Sequence, residues 1–264
     1  MMKVPFVSLK AQYHALQSEV SESTQPLEWQ WSNQIVALAE DRERPFYFAC
    51  KRCLDVVLAM LLLILSSPLM LLIAILIKLD TPGPVIFVQE RVGARRRCKD
   101  GRTIWEIRTF PFYKFRSMVK DADQSIHKAY IEAFVEGRAV ASDAAGGIFK
   151  LTNDPRVTRI GWMLRKTSLD ELPQLVNVLK GDMSLVGPRP VPTYEVAKYD
   201  ARHWKRLAVL PGITGLWQVK GRCQVSFEDM VRIDIEYIDN QSLWLDLKIL
   251  FLTILAVLSG RGAE

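Results

Sequence analysis

Cysteine is scarce in this chain: four residues in 264, at positions 50, 53, 98 and 223, too few and too scattered to form a disulfide framework. Reduced thiols facing a cytosol are therefore expected. Cys50 and Cys53 have the spacing of half a zinc site, but no second Cys-x-x-Cys and no paired histidines follow at a useful distance, which argues against a structural metal. No secretory signal precedes the first long apolar run, which begins only at Val56. The aromatic residues do not interleave with the basic ones as stacking platforms would, which argues against a nucleic-acid surface. Acidic excess is missing as well. With 35 Lys and Arg against 29 Asp and Glu, the net charge is +6 and the pI near 9.1, which favours an anionic membrane surface or a phosphorylated substrate.

What is present is enough apolar material for a real core, 49% of residues against 24% charged, in one large domain or two modest ones. Val56 to Ile77 carries no charge. As a helix its length is about 33 Å, against a hydrocarbon core of about 30 Å. Ser66-Ser67-Pro68 lies at its midpoint, where proline removes a backbone donor and clashes with the preceding turn, so a sharp bend is predicted. Basic residues flank both ends: Arg42, Arg44, Lys51 and Arg52 before, Lys78, Arg91, Arg95, Arg96 and Arg97 after. A spanning helix shows basic excess on one side only, whereas a hairpin that dips in and returns keeps both flanks in the cytosol. The pattern favours a re-entrant helix-break-helix over a proline-kinked single span, with Asp55 paired to Lys51 or Arg52 one turn earlier.

The sequence divides into an N-terminal extension (1–47), the re-entrant membrane helix (48–80), a cytosolic globular domain (81–242) and a C-terminal apolar or interfacial helix with its tail (243–264). The expected fold is α+β, mostly helical, with short strands. Thr81-Pro82-Gly83-Pro84 is a turn signal and Val85 to Val88 a short strand. Arg91 to Arg102 reads as a basic loop, 119 to 136 as an amphipathic helix, and Ala141 to Gly147 as a linker. Leu172 to Leu179 reads as a short helix ended at Gly181. Leu243 to Leu258 is apolar but interrupted by Asp246 and Lys248, too short between them and its end to span a bilayer.

Chemistry concentrates in Leu164 to Pro173. Ser168-x-x-Glu171 has the form of a capping box, with acidic residues where a helix dipole welcomes them. Pro173 disturbs that reading, since a cap at Ser168 would push it past the first turn, and an irregular start is expected. Such a start beside Arg165 and Lys166 gathers free N–H groups and positive charge where a phosphate docks. Capping and catalysis both remain open on these residues alone. Lys114-Phe115-Arg116 places two cations on one face of a strand. Gly187-Pro188-Arg189-Pro190 fixes an arginine on a stiff turn, and Pro211-Gly212-Ile213-Thr214-Gly215 is a second rigid turn with exposed N–H groups.

Taken in order, these pieces resemble the monotopic phosphoglycosyl transferases, the bacterial sugar transferases that begin polysaccharide and glycoconjugate assembly. The resemblance runs over roughly residues 48 to 258 and rests on Ser67-Pro68, Lys114 to Met118 (KFRSM), Asp154-Pro155-Arg156, Ser168 to Leu175 (SLDELPQL), Asn177 to Leu179, Gly181 to Pro190 (GDMSLVGPRP), Pro211 to Gly215 (PGITG) and Trp217 to Arg222. It implies a re-entrant helix broken at Ser67-Pro68 and a globular part on the cytoplasmic face of the bacterial inner membrane. It implies transfer of a sugar 1-phosphate from a UDP-sugar to undecaprenyl phosphate, with UMP released through a covalent phosphosugar intermediate on Asp170. By the same resemblance Glu171 is the partner carboxylate, Mg²⁺ the cofactor with Asp170 as a ligand, and Arg165 the first phosphate contact. Lys114, Arg116, Arg189 and Arg222 are further donor or carrier contacts, and a homodimer is compatible with the family.

Two departures stand out. The stretch Gly93 to Tyr113 is longer and more basic than the family's usual linker, and the first 45 residues have no counterpart in the minimal members. The rival of another class is a membrane-anchored binding or scaffold protein in which Asp170 and Glu171 only cap a helix.

Overall fold

The computed structural model describes residues 44–99, 102–136, 154–200, 202–220 and 225–258. The linker expected at Ala141 to Gly147, Arg222, and nearly all of the N-terminal extension lie outside the described residues.

Helix α1 runs from Pro45 to Asp80. Proline suits its first turn, where the missing N–H has no intrahelical partner to lose, and the following Pro82 forces Thr81 into an extended conformation that stops it. The helical assignment passes through Pro68 without interruption. The reason is local. Pro68 cannot donate to the carbonyl of Ile64, and the Ser67 hydroxyl donates to that carbonyl instead at 2.8 Å, while Ser66 donates to Leu62 at 2.6 Å. Tyr47, Lys51, Asp55 and Ala59 form a buried stripe at four-residue spacing, and Ile73 and Ile77 form a second one; none of residues 60–72 between them is buried.

Strands β1 (Ile86–Lys99) and β2 (Arg102–Phe115) form a long antiparallel hairpin, in register from Ile86 opposite Phe115 to Lys99 opposite Arg102. This corrects the expectation of short strands and of a basic loop over Arg91 to Arg102. The arginine run conceals a period of two: Val92 and Ala94 point into the core, Arg95 and Arg97 into solvent. Opposite them Trp105 and Ile107 face one side of the sheet, Phe110 and Phe112 the other, so both faces are covered.

Helix α2 (Ser125–Val135) falls inside the stretch read as amphipathic. Helix α3 (Arg159–Thr167) is capped by the Thr158 hydroxyl, which accepts from Gly161 N. A single 3-10 turn at Leu169–Glu171 leads to α4 (Gln174–Lys180), which ends at Gly181 with φ 79°. Strand β3 (Ser184–Val186) pairs in parallel with β5 (Gly212–Thr214), and β4 (Val191–Pro192) extends the hairpin sheet beside β1. The remaining helices are α5 (Thr193–Val196), a 3-10 segment at His203–Leu207, α6 (Leu216–Lys220), α7 (Phe227–Asp239) and α8 (Leu243–Leu258). Helix α8 has the limits read from sequence. Its buried side carries Ile249 and Asp246, and its exposed side carries Trp244, Leu247, Phe251 and Leu255 at helical spacing.

Candidate active site

The joint between α3 and the 3-10 turn is made by Ser168, which adopts left-handed φ 57° and ψ 16°. A non-glycine residue there costs about 1 kcal/mol or more and persists only where its surroundings impose it. The turn it makes carries Asp170 inward to 6% exposure. Ser168 forms no side-chain cap, and Glu171 does not reach back to it, so the capping-box geometry is absent. With α4 starting after Pro173, the irregular start expected from that proline is present.

Both carboxylates meet cations brought by distant segments. Lys114, next to last in β2, places its Nζ 2.9 Å from Glu171 Oε1 and 3.5 Å from Asp170 Oδ2. Arg189 donates from Nη2 to the same Glu171 oxygen at 2.7 Å. Burial opposes charge on Glu171, yet Arg189 and Lys114 outweigh it and hold the carboxyl well below the ordinary glutamate range. Asp170 keeps the lighter contact, one ion pair at 3.5 Å.

Arg189 sits on a turn whose backbone is locked. Gly187 N donates to Thr214 O at 2.9 Å and Gly212 N to Pro188 O at 2.8 Å. A Cβ on Gly212 would lie 2.1 Å from Gly187 N, so the two turns touch backbone to backbone. The Gly187 amide is thus spent on the Thr214 carbonyl and the Gly212 amide on the Pro188 carbonyl, so the Gly212 N–H is not exposed as expected for the turn Pro211–Gly215.

Arg116 is not brought to the carboxylates. Strand β2 ends at Phe115, and the guanidinium turns to the end of α1, donating to Pro82 O at 2.5 Å and Thr81 O at 2.6 Å. Arg165, in the last turn of α3, makes no side-chain hydrogen bond or ion pair among the described residues. Asp154 and Arg156 form a two-point pair, Nε to Oδ1 at 2.8 Å and Nη2 to Oδ2 at 2.6 Å.

Two positions escaped sequence reasoning. His127 on α2 meets the Tyr194 hydroxyl at 2.6 Å, and burial together with the charges of Arg91, Arg156 and Arg165 pushes the imidazole down to about 4. Arg91, read as part of a loop, lies behind Arg189. Its Nη1 donates to Pro190 O, and burial and the Arg189 charge push it down to about 10. An isolated histidine on an amphipathic helix carried no signal, and the strand that orients Arg91 had been missed. The result is a cationic cluster of Lys114 and Arg189 with Arg91 near Arg189, beside one lightly held carboxylate, while the Arg165 charge is felt at His127 and Asp154. Such a cluster suits a substrate with several phosphate charges.

The bacterial sugar transferase family model matches residues 46–260. The chain belongs to that family. Among its relatives is the undecaprenyl-phosphate galactose phosphotransferase of Salmonella typhimurium, 42% identical over 215 residues, which cover 81% of this chain and 41% of that protein. The UDP-glucose:undecaprenyl-phosphate glucose-1-phosphate transferase of Escherichia coli is 41% identical over 222 residues, 81% of this chain and 41% of that protein. The exopolysaccharide production protein ExoY of Rhizobium meliloti is 41% identical over 223 residues, covering 83% of this chain and 90% of that protein. The chain therefore spans about two fifths of the first two relatives and most of the third.

Proposed function

We propose that this chain transfers a sugar 1-phosphate from a UDP-sugar to undecaprenyl phosphate, releasing UMP, at the cytoplasmic face of the bacterial inner membrane, as the first membrane step of exopolysaccharide, capsule, O-antigen or glycoconjugate assembly. The observation that carries this reading is the asymmetry of the two carboxylates: Glu171 is clamped by two cations while Asp170 stays lightly paired.

In the first step an Asp170 oxygen attacks the β-phosphorus of the donor, and the bond from that phosphorus to the bridging oxygen breaks, with UMP carrying away the electron pair. In the second step a phosphate oxygen of the polyprenyl carrier attacks the same phosphorus and frees Asp170. One phosphoanhydride is exchanged for another, so no net proton moves, and the rate depends on positioning and charge neutralisation. Arg189, Lys114 and Arg165 supply that neutralisation. Glu171 keeps Lys114 and Arg189 aimed at the space in front of Asp170.

The residues suit magnesium in the manner of sites built from one or two carboxylates plus substrate phosphates. No cluster of three or more metal-binding side chains occurs among the described residues, and Asp170 is the carboxylate with an oxygen to offer. When bound, the ion would screen the diphosphate charge that opposes an anionic nucleophile.

Membrane seating follows from α1. Among the described residues, α1 is long and apolar enough to cross a bilayer. Both its buried stripes nevertheless pack on the same globular body: Ala59 joins the cluster of Phe112, Leu175 and Ile249, and Ile73 and Ile77 join that of Phe115 and Leu164. Leu172 touches both clusters. The stretch 60–72 between them reaches out by about 10 Å if it goes and returns, a third of the roughly 30 Å a span requires. Attachment at both ends supports the re-entrant reading over a single crossing, and the exposed apolar side of α8 supports seating at the headgroup level.

The test is UMP release by purified protein in nanodiscs with undecaprenyl phosphate, Mg²⁺ and a panel of UDP-sugars, with Asp170→Asn in parallel. Carrier-dependent release that the substitution abolishes supports the reading, and no release with any donor from folded protein overturns it.

A further inference from the structure

Lys51 and Asp55 lie one turn apart on α1 and are both buried, yet neither pairs with the other as the sequence suggested. Lys51 Nζ donates to the carbonyl of Val186 at 3.0 Å and to Asp246 Oδ2 at 2.9 Å. Tyr237 donates to Asp246 Oδ1 at 2.7 Å, with its hydroxyl oxygen also 3.2 Å from the same Val186 carbonyl, and Tyr47 donates to Asp246 Oδ2 at 3.0 Å. Asp55 accepts from the amide of Leu185 at 2.9 Å. Both backbone contacts fall on β3, immediately before Gly187-Pro188-Arg189-Pro190. Two prolines stiffen that turn, so little slack separates the grip on Val186 from the guanidinium of Arg189.

The far end of α1 holds the other cation. Arg116 Nη2 donates to the carbonyls of Ile77, at 3.3 Å, and Thr81, at 2.6 Å, and Nη1 donates to Pro82. The Ile77 carbonyl already accepts from Thr81 N at 3.2 Å, so Arg116 adds a second donor to the closing turn and also holds the Thr81–Pro82 segment just beyond it. Arg116 follows Lys114 by two residues, and its own amide donates to Val85 O at 2.9 Å. One helix thus grips the segment before Arg189 with its first arm and the segment after Lys114 with its last turn.

Adhesion alone would not call for such groups. Leucine and isoleucine would hold α1 to the body without the cost of desolvating a lysine, an aspartate and an arginine. Apolar contacts, however, tolerate sliding, whereas directed hydrogen bonds to named carbonyls fix register. We infer that Lys51 and Arg116 are positioning residues: docking of the two arms of α1 sets Arg189 and Lys114 at their spacing on Glu171, so the membrane helix assembles the cation clamp as well as anchoring the protein. This inference rests on the phosphotransfer reading for its consequence in turnover, but its structural content does not.

The experiment uses full-length protein in nanodiscs and two alterations. Lys51→Met is combined with Asp246→Asn, because removing the lysine alone would strand a buried carboxylate, and Arg116→Gln is made separately. Hydrogen exchange is read by segment. The Lys51/Asp246 variant is expected to speed exchange at 184–190 and leave 113–117 unchanged, Arg116→Gln to do the converse, and both to speed 169–172. Changes confined to 45–80 and 243–258, or spread over the whole chain, overturn the inference. In the assay, each alteration is expected to lower kcat for UMP release on the order of 100-fold, as misplacement by about 1 Å does, with donor KM within about threefold. Made on top of Arg189→Ala, the Lys51/Asp246 alteration should add less than about threefold, whereas multiplying losses would mark a merely structural role and overturn it. Should wild-type protein release no UMP, the phosphotransfer reading fails while the exchange pattern still decides the inference.

Discussion

Lys114 Nζ stands 2.9 Å from Glu171 Oε1, a contact between residues 57 positions apart that joins the end of a hairpin strand to an irregular turn. It divides the labour of two adjacent carboxylates. The clamped one stays ionised, and the one beside it keeps a single, longer ion pair.

Asp170→Asn is expected to lower turnover by on the order of 1,000-fold or more while leaving the fold intact. The substitution keeps the side chain's shape and removes a buried charge whose one ion pair is long, at 3.5 Å. Thermal melting and UMP release measured on the same preparation check both halves; a variant that keeps substantial turnover is incompatible with a nucleophilic Asp170.

Glu171 should not titrate anywhere near neutral pH. Its folded pKa lies below the unfolded value of about 4.3, so its stabilising effect is complete above that value and is lost as pH falls through the folded pKa. The difference in melting temperature between wild type and Glu171→Gln is therefore expected to stay constant from pH 6 to 8 and to narrow only below about pH 4. Narrowing already at pH 6 would contradict the clamp.

His127 has the opposite chemistry and a different window. Its folded pKa is pushed down to about 4 from an unfolded value of about 6.5, so between these values the unfolded chain takes up a proton that the folded one refuses. Stability is expected to fall as pH drops from 6.5 toward 4, and His127→Gln to make that slope shallower. Denaturant melts across this range measure it, and equal slopes would refute a neutral buried imidazole.

Topology can be read by labelling. With Gln30→Cys in a background lacking other accessible thiols, wild type is expected to label from the cytoplasmic side. Pro68→Ala, which returns a backbone donor to Ile64, is expected to straighten α1 and move a fraction of molecules toward periplasmic labelling. Periplasmic labelling in wild type would rule out the re-entrant helix.

The sequence disclosed the clustered carboxylates and cations more readily than their setting. Asp170, Glu171, Lys114 and Arg189 lay in short motifs whose charge and turn chemistry are local, and the helix ending at Gly181 and the apolar α8 followed from periodicity and a glycine. Arg116 was misjudged because alternation holds only while the strand lasts, and β2 stops one residue earlier. The hairpin was hidden because solvent-facing arginines dominate its composition while Val92 and Ala94 occupy the inward positions. Lys51 and Asp246 are 195 positions apart and lie in segments that look like membrane flank and surface helix; only tertiary packing brings them together. Ser67 is a subtler case, since the residue read as part of a break is the one whose hydroxyl keeps the helix continuous.

The exposed stretch 60–72, held at both ends by one body, has a consequence for the lipid itself. Seated as proposed, it takes up area in a single leaflet and none in the opposite one, as a wedge driven into half of a sheet does. The surrounding monolayer must bend or thin to receive it, so the work of seating depends on how tightly the cytoplasmic leaflet is packed. Cone-shaped lipids, which leave room near their headgroups, would accept the wedge more readily than cylindrical ones. Lipid shape thereby becomes a variable that reaches the enzyme before any substrate does.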